Sequence, residues 1–198
     1  MKNPKFLPIE FSPETGKFTN LHYIPEIANL LLANVDKLFD AFFELHDDNK
    51  IEKTIELVRS YAPHFWAIVD PKTLELAGIA YLYDWVGNDR LWFSTKVSTC
   101  FVRKYWGKFA HRAGKLFLRY AFAKYRLVKI CAEVFDLNPY PKRLLATLGF
   151  KEEYKKPSAT VVKDDPVGVL GYSVVTNRQD VMTHDKRGAS STHQNLLR

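Results

Sequence analysis

Two cysteines, Cys100 and Cys131, are all that the 198 residues contain. Both stand in apolar runs, so the chain reads as carrying buried free thiols in a reducing compartment, not a disulfide. No stretch approaches the roughly 18 consecutive apolar residues of a membrane span. The opening MKNPKFLPIEF lacks a long apolar core before a small-residue cleavage site and does not read as a signal peptide. A cytoplasmic protein with no membrane partner is the expectation. The six histidines and two cysteines show no zinc spacing, and there is neither a G-x-S-x-G elbow nor a Walker loop. Metal and nucleotide-hydrolysis chemistry are therefore set aside, and no internal repeat divides the chain.

What is present is a core. With 46% hydrophobic and 14% aromatic residues, the chain can bury one sizeable core, which predicts a single domain over residues 1–176. The polar stretch 177–198, with His184 and His193, reads as a tail that is disordered or ordered by a partner. Charge is uneven. The net +7 divides into 8 basic against 14 acidic residues over 1–89 and 21 against 8 over 90–198. Arg103, Lys104, Lys108, Arg112, Lys115, Arg119, Lys124, Arg126 and Lys129 follow one another with no acid between them. Three readings of that run stay open: a solvated helix face, a site for a phosphorylated cofactor, or a nucleic-acid surface.

Periodicity gives the order of elements. After a short apolar stretch at 6–11, residues at helical spacing from Ile27 to Phe43 predict a helix over 25 to about 46, with Pro25 in its first turn. Asp47-Asp48-Asn49 re-caps the chain for a second helix that ends before Pro63. Strands are predicted at 65–69, 76–85 and 91–102, a meander bounded by turn formers. A helix over 110–125 follows, then a strand over 127–135 and a short helix over 141–148 stopped by Gly149. Extended stretches at 150–162 and 167–175 finish the fold. Trp66, Trp85, Trp92 and Trp106 read mainly as core.

The run YWGKFAHRAGKLFLRYAF, followed by LVKICAEVFDLN and LLATLGF, resembles the core of the GNAT acyltransferase superfamily, in particular its ribosomal-protein N-terminal acetyltransferase branch. It covers roughly residues 65–175. The resemblance implies an α/β (α+β) fold with a mixed, mostly antiparallel central sheet, splayed strands and flanking helices. It also implies acetyl-CoA lying in the opening of the sheet, with its pyrophosphate on the loop that opens the next helix. Those roles fall on residues 91–102 and 104–110. The implied cofactor-binding residues are Phe101, Val102, Lys104, Trp106, Gly107, Lys108, Phe109, Ala110 and His111. Asn138, eleven residues before the GF pair Gly149-Phe150, takes the place of the family's strand-end asparagine.

One position departs from the family pattern. The motif Q/R-x-x-G-x-G/A puts Lys104 first, Gly107 fourth and Phe109 sixth; alternatively one residue is deleted and Ala110 takes the last small position. Either way a glycine is missing. A ring there obstructs the approach of an anion to backbone N–H groups unless Phe109 turns into the core.

For catalysis the resemblance implies direct attack of a neutral amine on the thioester, with a carboxylate or ordered water taking the proton and a tyrosine or other donor protonating the thiolate. The tyrosine position maps to Leu145, which has no proton to give. Glu133 is the candidate base, because it is the one conspicuous acid of an apolar strand at the depth where the sheet should open. The alternative is an outward-facing Glu133 paired with Lys129 or Arg143. Asp136 and His111 are weaker candidates, and the hydroxyls of Ser94, Thr95 and Thr99 read as structural.

Two functions follow. One is an acyl-CoA-dependent N-acyltransferase acting on an amine such as a protein N-terminus or a polyamine, drawn in by the acidic early helices. The other is an inactive protein of the same fold used as a structural or nucleic-acid-associated component of a large assembly, for example a virus particle.

Overall fold

The computed structural model describes residues 3–12, 14–38, 45–88, 91–163 and 165–176. The predicted tail at 177–198, and with it His184 and His193, lies outside the described residues. So do Phe39, Phe42 and Phe43 of the first predicted helix, and the Trp92 side chain.

Seven strands form one sheet in the order β1 (Lys5–Pro8), β4 (Phe65–Val69), β5 (Leu76–Asn88), β6 (Leu91–Phe101), β7 (Lys129–Phe135), β9 (Asp165–Val175) and β8 (Lys151–Val162). A separate two-stranded ribbon pairs β2 (Phe11–Ser12) with β3 (Lys17–Phe18). Every neighbouring pair in the main sheet is antiparallel except β6 and β7, which run parallel. A parallel pair needs a crossover, and α3 (Lys108–Tyr125) provides it.

Side chains alternate between two cores. On β4, where all five residues are buried, Trp66 and Ile68 face a cluster with Phe117, Ala121, Ile130 and Leu145 from α3, β7 and α4 (Pro139–Thr147). Phe65, Ala67 and Val69 face a second cluster with Ile27, Leu31 and Val58 from α1 (Ile24–Leu32) and α2 (Lys50–Tyr61). Each fully buried Val, Leu, Ile or Phe side chain among them contributes about 1.5–3 kcal/mol. Cys100 is buried, as the sequence suggests, whereas Cys131 is only half-buried; both are free.

The first helix is shorter than its periodicity predicts. It ends at Leu32, and Val35–Lys37 forms a separate 3-10 turn. The cause is local: Asn34 Nδ2 donates to the Leu30 carbonyl at 2.8 Å and takes an acceptor that helix continuation would use. The meander, α2 and the basic helix α3 stand where expected.

Candidate active site

The pairing of β6 with β7 covers only Ser94–Lys96 against Lys129–Cys131, yet β6 runs on to Phe101 and β7 to Phe135. The strands therefore part beyond Lys96. The Val102 N–H donates to the Ala77 carbonyl at the β5 side, at 2.9 Å. Hydrogen-bonding direction alternates along a strand, so the N–H and C=O groups of Val97, Thr99 and Phe101 point the other way, into the opening. An amide-bearing arm laid there can pair with β6 as an added strand. The opening holds a cavity of about 90 Å³ lined by Val97, Thr99, Phe117, Glu133 and Leu144, among others. Beyond its mouth lies a larger cavity of about 820 Å³, bounded by Glu26 and Asn29 of α1, Arg103, Trp106 and Tyr140.

Past β6 the chain makes a 3-10 turn, Arg103–Tyr105, and enters α3 through Gly107. Gly107 has φ +77° and ψ −124°, a conformation that residues with a Cβ rarely adopt. The space beside its Cα is open to 4 Å. No side chain caps α3, and no acidic residue stands in its first turn. Its leading N–H groups and the positive end of its dipole are thus offered to an anion, with exposed Arg103 and Lys108 beside them.

Phe109 does not obstruct this turn. Its ring packs 4.9 Å from Tyr105 and against the α3-side core, and Ala110 beside it is buried. Lys104 is committed elsewhere: its Nζ donates to Glu75 Oε2 at 2.6 Å, and the Tyr105 hydroxyl reaches the same oxygen at 3.1 Å. The hydrogen bond to Lys104 and then that to Tyr105 hold the Glu75 carboxyl below its ordinary value. His111 is half-buried, with Nε2 3.4 Å from the Thr147 carbonyl. Trp106 is not core. Its Nε1 donates to the Phe101 carbonyl at 2.9 Å, and its ring meets Tyr140 in the first turn of α4 at a tilt of 43°, with centroids 4.9 Å apart, so the two lips of the opening touch.

Asn138 stands at the N-cap of α4 without a side-chain capping bond, and its N–H donates to the Phe135 carbonyl at 3.0 Å. Its amide is free of any cap role. Leu145 is buried beneath the cavity, and Thr95 donates to the Tyr83 carbonyl at 2.6 Å, a structural bond.

Glu133 faces inward. Ile130 and Ala132 belong to the α3-side core, so alternation turns Glu133 to the α1–α2 face, where its side chain is 3% exposed. The expected partners Lys129 and Arg143 do not meet it. Lys129 pairs with Glu153 at 2.7 Å, and Arg143 is exposed on α4. Instead, Lys96 Nζ lies 3.0 Å from Glu133 Oε2 and 2.9 Å from Asp84 Oδ2. The Tyr154 hydroxyl donates to Glu133 Oε1 in a short contact, and Lys156 Nζ stands 3.9 Å from that oxygen. Oε2 is buried, and the Lys96 ammonium is its polar contact among the described residues.

Burial pulls the Lys96 ammonium down, but hydrogen bonds and charge from Asp84 and Glu133 outweigh it and hold its pKa above the ordinary lysine value. Burial, then the bond to Glu133, pushes the Tyr154 phenol up to about 12. Asp84, Lys96 and Tyr154 escape sequence reasoning because only the strand registers bring β5, β6 and the distant β8 to Glu133. The available signal was strand alternation, which puts Lys96 and Glu133 on one face. Asp136 is half-buried, 3.7 Å from Lys155. Among the described residues no cluster of His, Cys, Asp and Glu could hold a metal ion, and no helix is long and apolar enough to cross a membrane.

A mixed sheet split between two parallel strands, with an uncapped helix N-terminus at the mouth of the split, is the α/β arrangement that the resemblance to the GNAT superfamily implies. The model of the acetyltransferase (GNAT) domain matches residues 19–151, and the chain belongs to the GNAT family. Among solved structures it is similar to a GNAT-family acetyltransferase from Bacillus anthracis, with TM-score 0.68 and 14% identity over 88% of this chain and 95% of the other. It is also similar to RimL, a ribosomal L7/L12 α-N-protein acetyltransferase in complex with coenzyme A, with TM-score 0.68 and 10% identity over 88% and 95%. A variant of the spermidine N-acetyltransferase SpeG from Vibrio cholerae gives TM-score 0.67 and 20% identity over 89% and 98%. No curated protein matches the sequence.

Proposed function

We propose that this protein transfers an acetyl group from acetyl-CoA to a primary amine, of the kind carried by a protein N-terminus or a polyamine. The observation that carries this reading is the split of β6 from β7, ending on the uncapped start of α3. In this reading the pantetheine arm pairs with the inward-facing backbone of Val97, Thr99 and Phe101, displacing the Trp106 indole from the Phe101 carbonyl. The pyrophosphate takes the N–H groups of Lys108, Phe109 and Ala110, near Arg103. Asn138 meets the arm from the opposite lip.

The amine approaches from the α1 side, where Glu26 and Glu75 line the large cavity. Its lone pair attacks the thioester carbonyl carbon, a C–N bond forms and the C–S bond breaks. The N–H proton passes to Glu133 Oε2, and the thiolate leaves to be protonated by solvent. Positioning and a base together are worth several orders of magnitude in rate. RimL, a protein α-N-acetyltransferase, and SpeG, a spermidine N-acetyltransferase, support this choice of acceptors. The inactive-component alternative loses its main support with the Phe109 ring turned against Tyr105.

Titration with acetyl-CoA tests the proposal. Binding raises unfolding stability by about 2.7 kcal/mol at a hundredfold excess over the dissociation constant, and tryptophan emission changes as Trp106 is displaced. No stabilisation at millimolar acetyl-CoA overturns it.

A further inference from the structure

The polar chain around Glu133 runs straight across five strands. Asp84 lies on β5, Lys96 on β6, Glu133 on β7, Gly171 on β9 and Tyr154 on β8, with Tyr83 opposite Lys96, and Gly171 opposite both Glu133 and Tyr154. It crosses the sheet where the β6–β7 ladder gives out, just past the pair Lys96–Cys131. From that point no backbone bond ties Glu133 to β6. Side chains do so instead.

Each carboxylate oxygen has its own contact. Tyr154 holds Oε1 from β8, and Lys96 stands against Oε2 from β6. Lys96 is itself tethered by Asp84, which sits with φ +51° at the β5 irregularity between Tyr83 and Val86. The Glu133 side chain is 3% exposed, and burying a carboxylate is costly without such partners. Lys96 takes one side of Oε2, and the second lone pair of that oxygen is the acceptor left over when both contacts are made.

We infer that Lys96 and Tyr154 are positioning residues for this reaction, a clamp across the vertex of the split sheet that aims Glu133 Oε2 at the incoming amine. This rests on the reading of Glu133 as proton acceptor. The clamp acts through Glu133 alone, so it governs turnover and not the binding of acetyl-CoA.

The test compares Lys96→Met, Lys96→Arg, Tyr154→Phe, Glu133→Gln and the double variant Lys96→Met with Glu133→Gln, using spermidine and a peptide with a free N-terminus as acceptors. Lys96→Met lowers kcat about tenfold or more with KM for acetyl-CoA little changed, and Lys96→Arg recovers most of the loss. Tyr154→Phe lowers kcat in the same way. The double variant is no slower than Glu133→Gln alone, because residues that act as one unit are not additive. Multiplicative losses, or an Arg variant as impaired as the Met variant, overturn the clamp. If the wild type acetylates neither acceptor, the proposed function fails and the clamp falls with it, whereas an active wild type with multiplicative losses overturns the clamp alone.

Discussion

The Tyr154 ring lies on the backbone of Gly171, so close that a Cβ at 171 would overlap the ring carbons. Gly171 is opposite Glu133 on the neighbouring strand, and this bare position lets the phenol of β8 reach over β9 to β7. Gly171→Ala therefore displaces Tyr154 without touching its chemistry. The expected result is a fall in kcat matching that of Tyr154→Phe, together with about 1–3 kcal/mol of overpacking strain in urea unfolding. A Gly171→Ala protein with undiminished kcat would separate the ring's seat from catalysis and count against the clamp.

The framework was legible because it rests on local patterns. The apolar run FWAIV reads as a strand buried on both faces, and the stripe Ala113, Phe117 and Ala121 reads as one face of α3. Glu133 stood out in the sequence as an acid among apolar neighbours. Its partners did not, since Asp84, Lys96 and Tyr154 meet it only through registers on three other strands. The end of α1 was misread for a different reason: the apolar spacing continues past Leu32, while a side-chain bond from Asn34 to Leu30 competes with the next helical turn. For Trp106 the sequence offers two readings, core by its aromatic placement and cofactor-binding by the resemblance; its ring lies on the lip of the opening against Tyr140, not in the core.

His64 gives a pH dependence of stability. It packs against Trp85 at 4.6 Å, with Nδ1 3.1 Å from the Tyr125 hydroxyl. Burial first, and the Lys124 charge second, lower its pKa from the ordinary 6.5. The folded state thus prefers the neutral ring, while the unfolded chain takes up a proton more readily. Stability from this site is complete above pH 6.5 and declines as pH falls from there through the lowered folded value. Melting temperatures measured between pH 8 and pH 5 should drop for the wild type (roughly the window of histidine titration), and His64→Gln should flatten that part of the decline. An equal decline in both proteins would assign it to other groups.

Gly107 and Phe109 separate the two ways in which the turn before α3 can fail. At Gly107 the backbone is the constraint. The space beside it is open, so an alanine meets no atom within 4 Å, yet φ +77° is a conformation its Cβ disfavours. Gly107→Ala is expected to cost about 1 kcal/mol of stability and, by tilting the first N–H groups of α3, to weaken acetyl-CoA about tenfold or more. At Phe109 the side chain is the constraint, and it belongs to the core. Phe109→Leu loses the ring pair with Tyr105, worth about 0.5–1.5 kcal/mol beyond its buried area, but leaves the N–H groups where they are. Calorimetric titration of both variants, paired with urea unfolding, should give weakened binding for the first and near-native binding with lowered stability for the second. The reverse pattern would put the Phe109 ring in the cofactor's path after all.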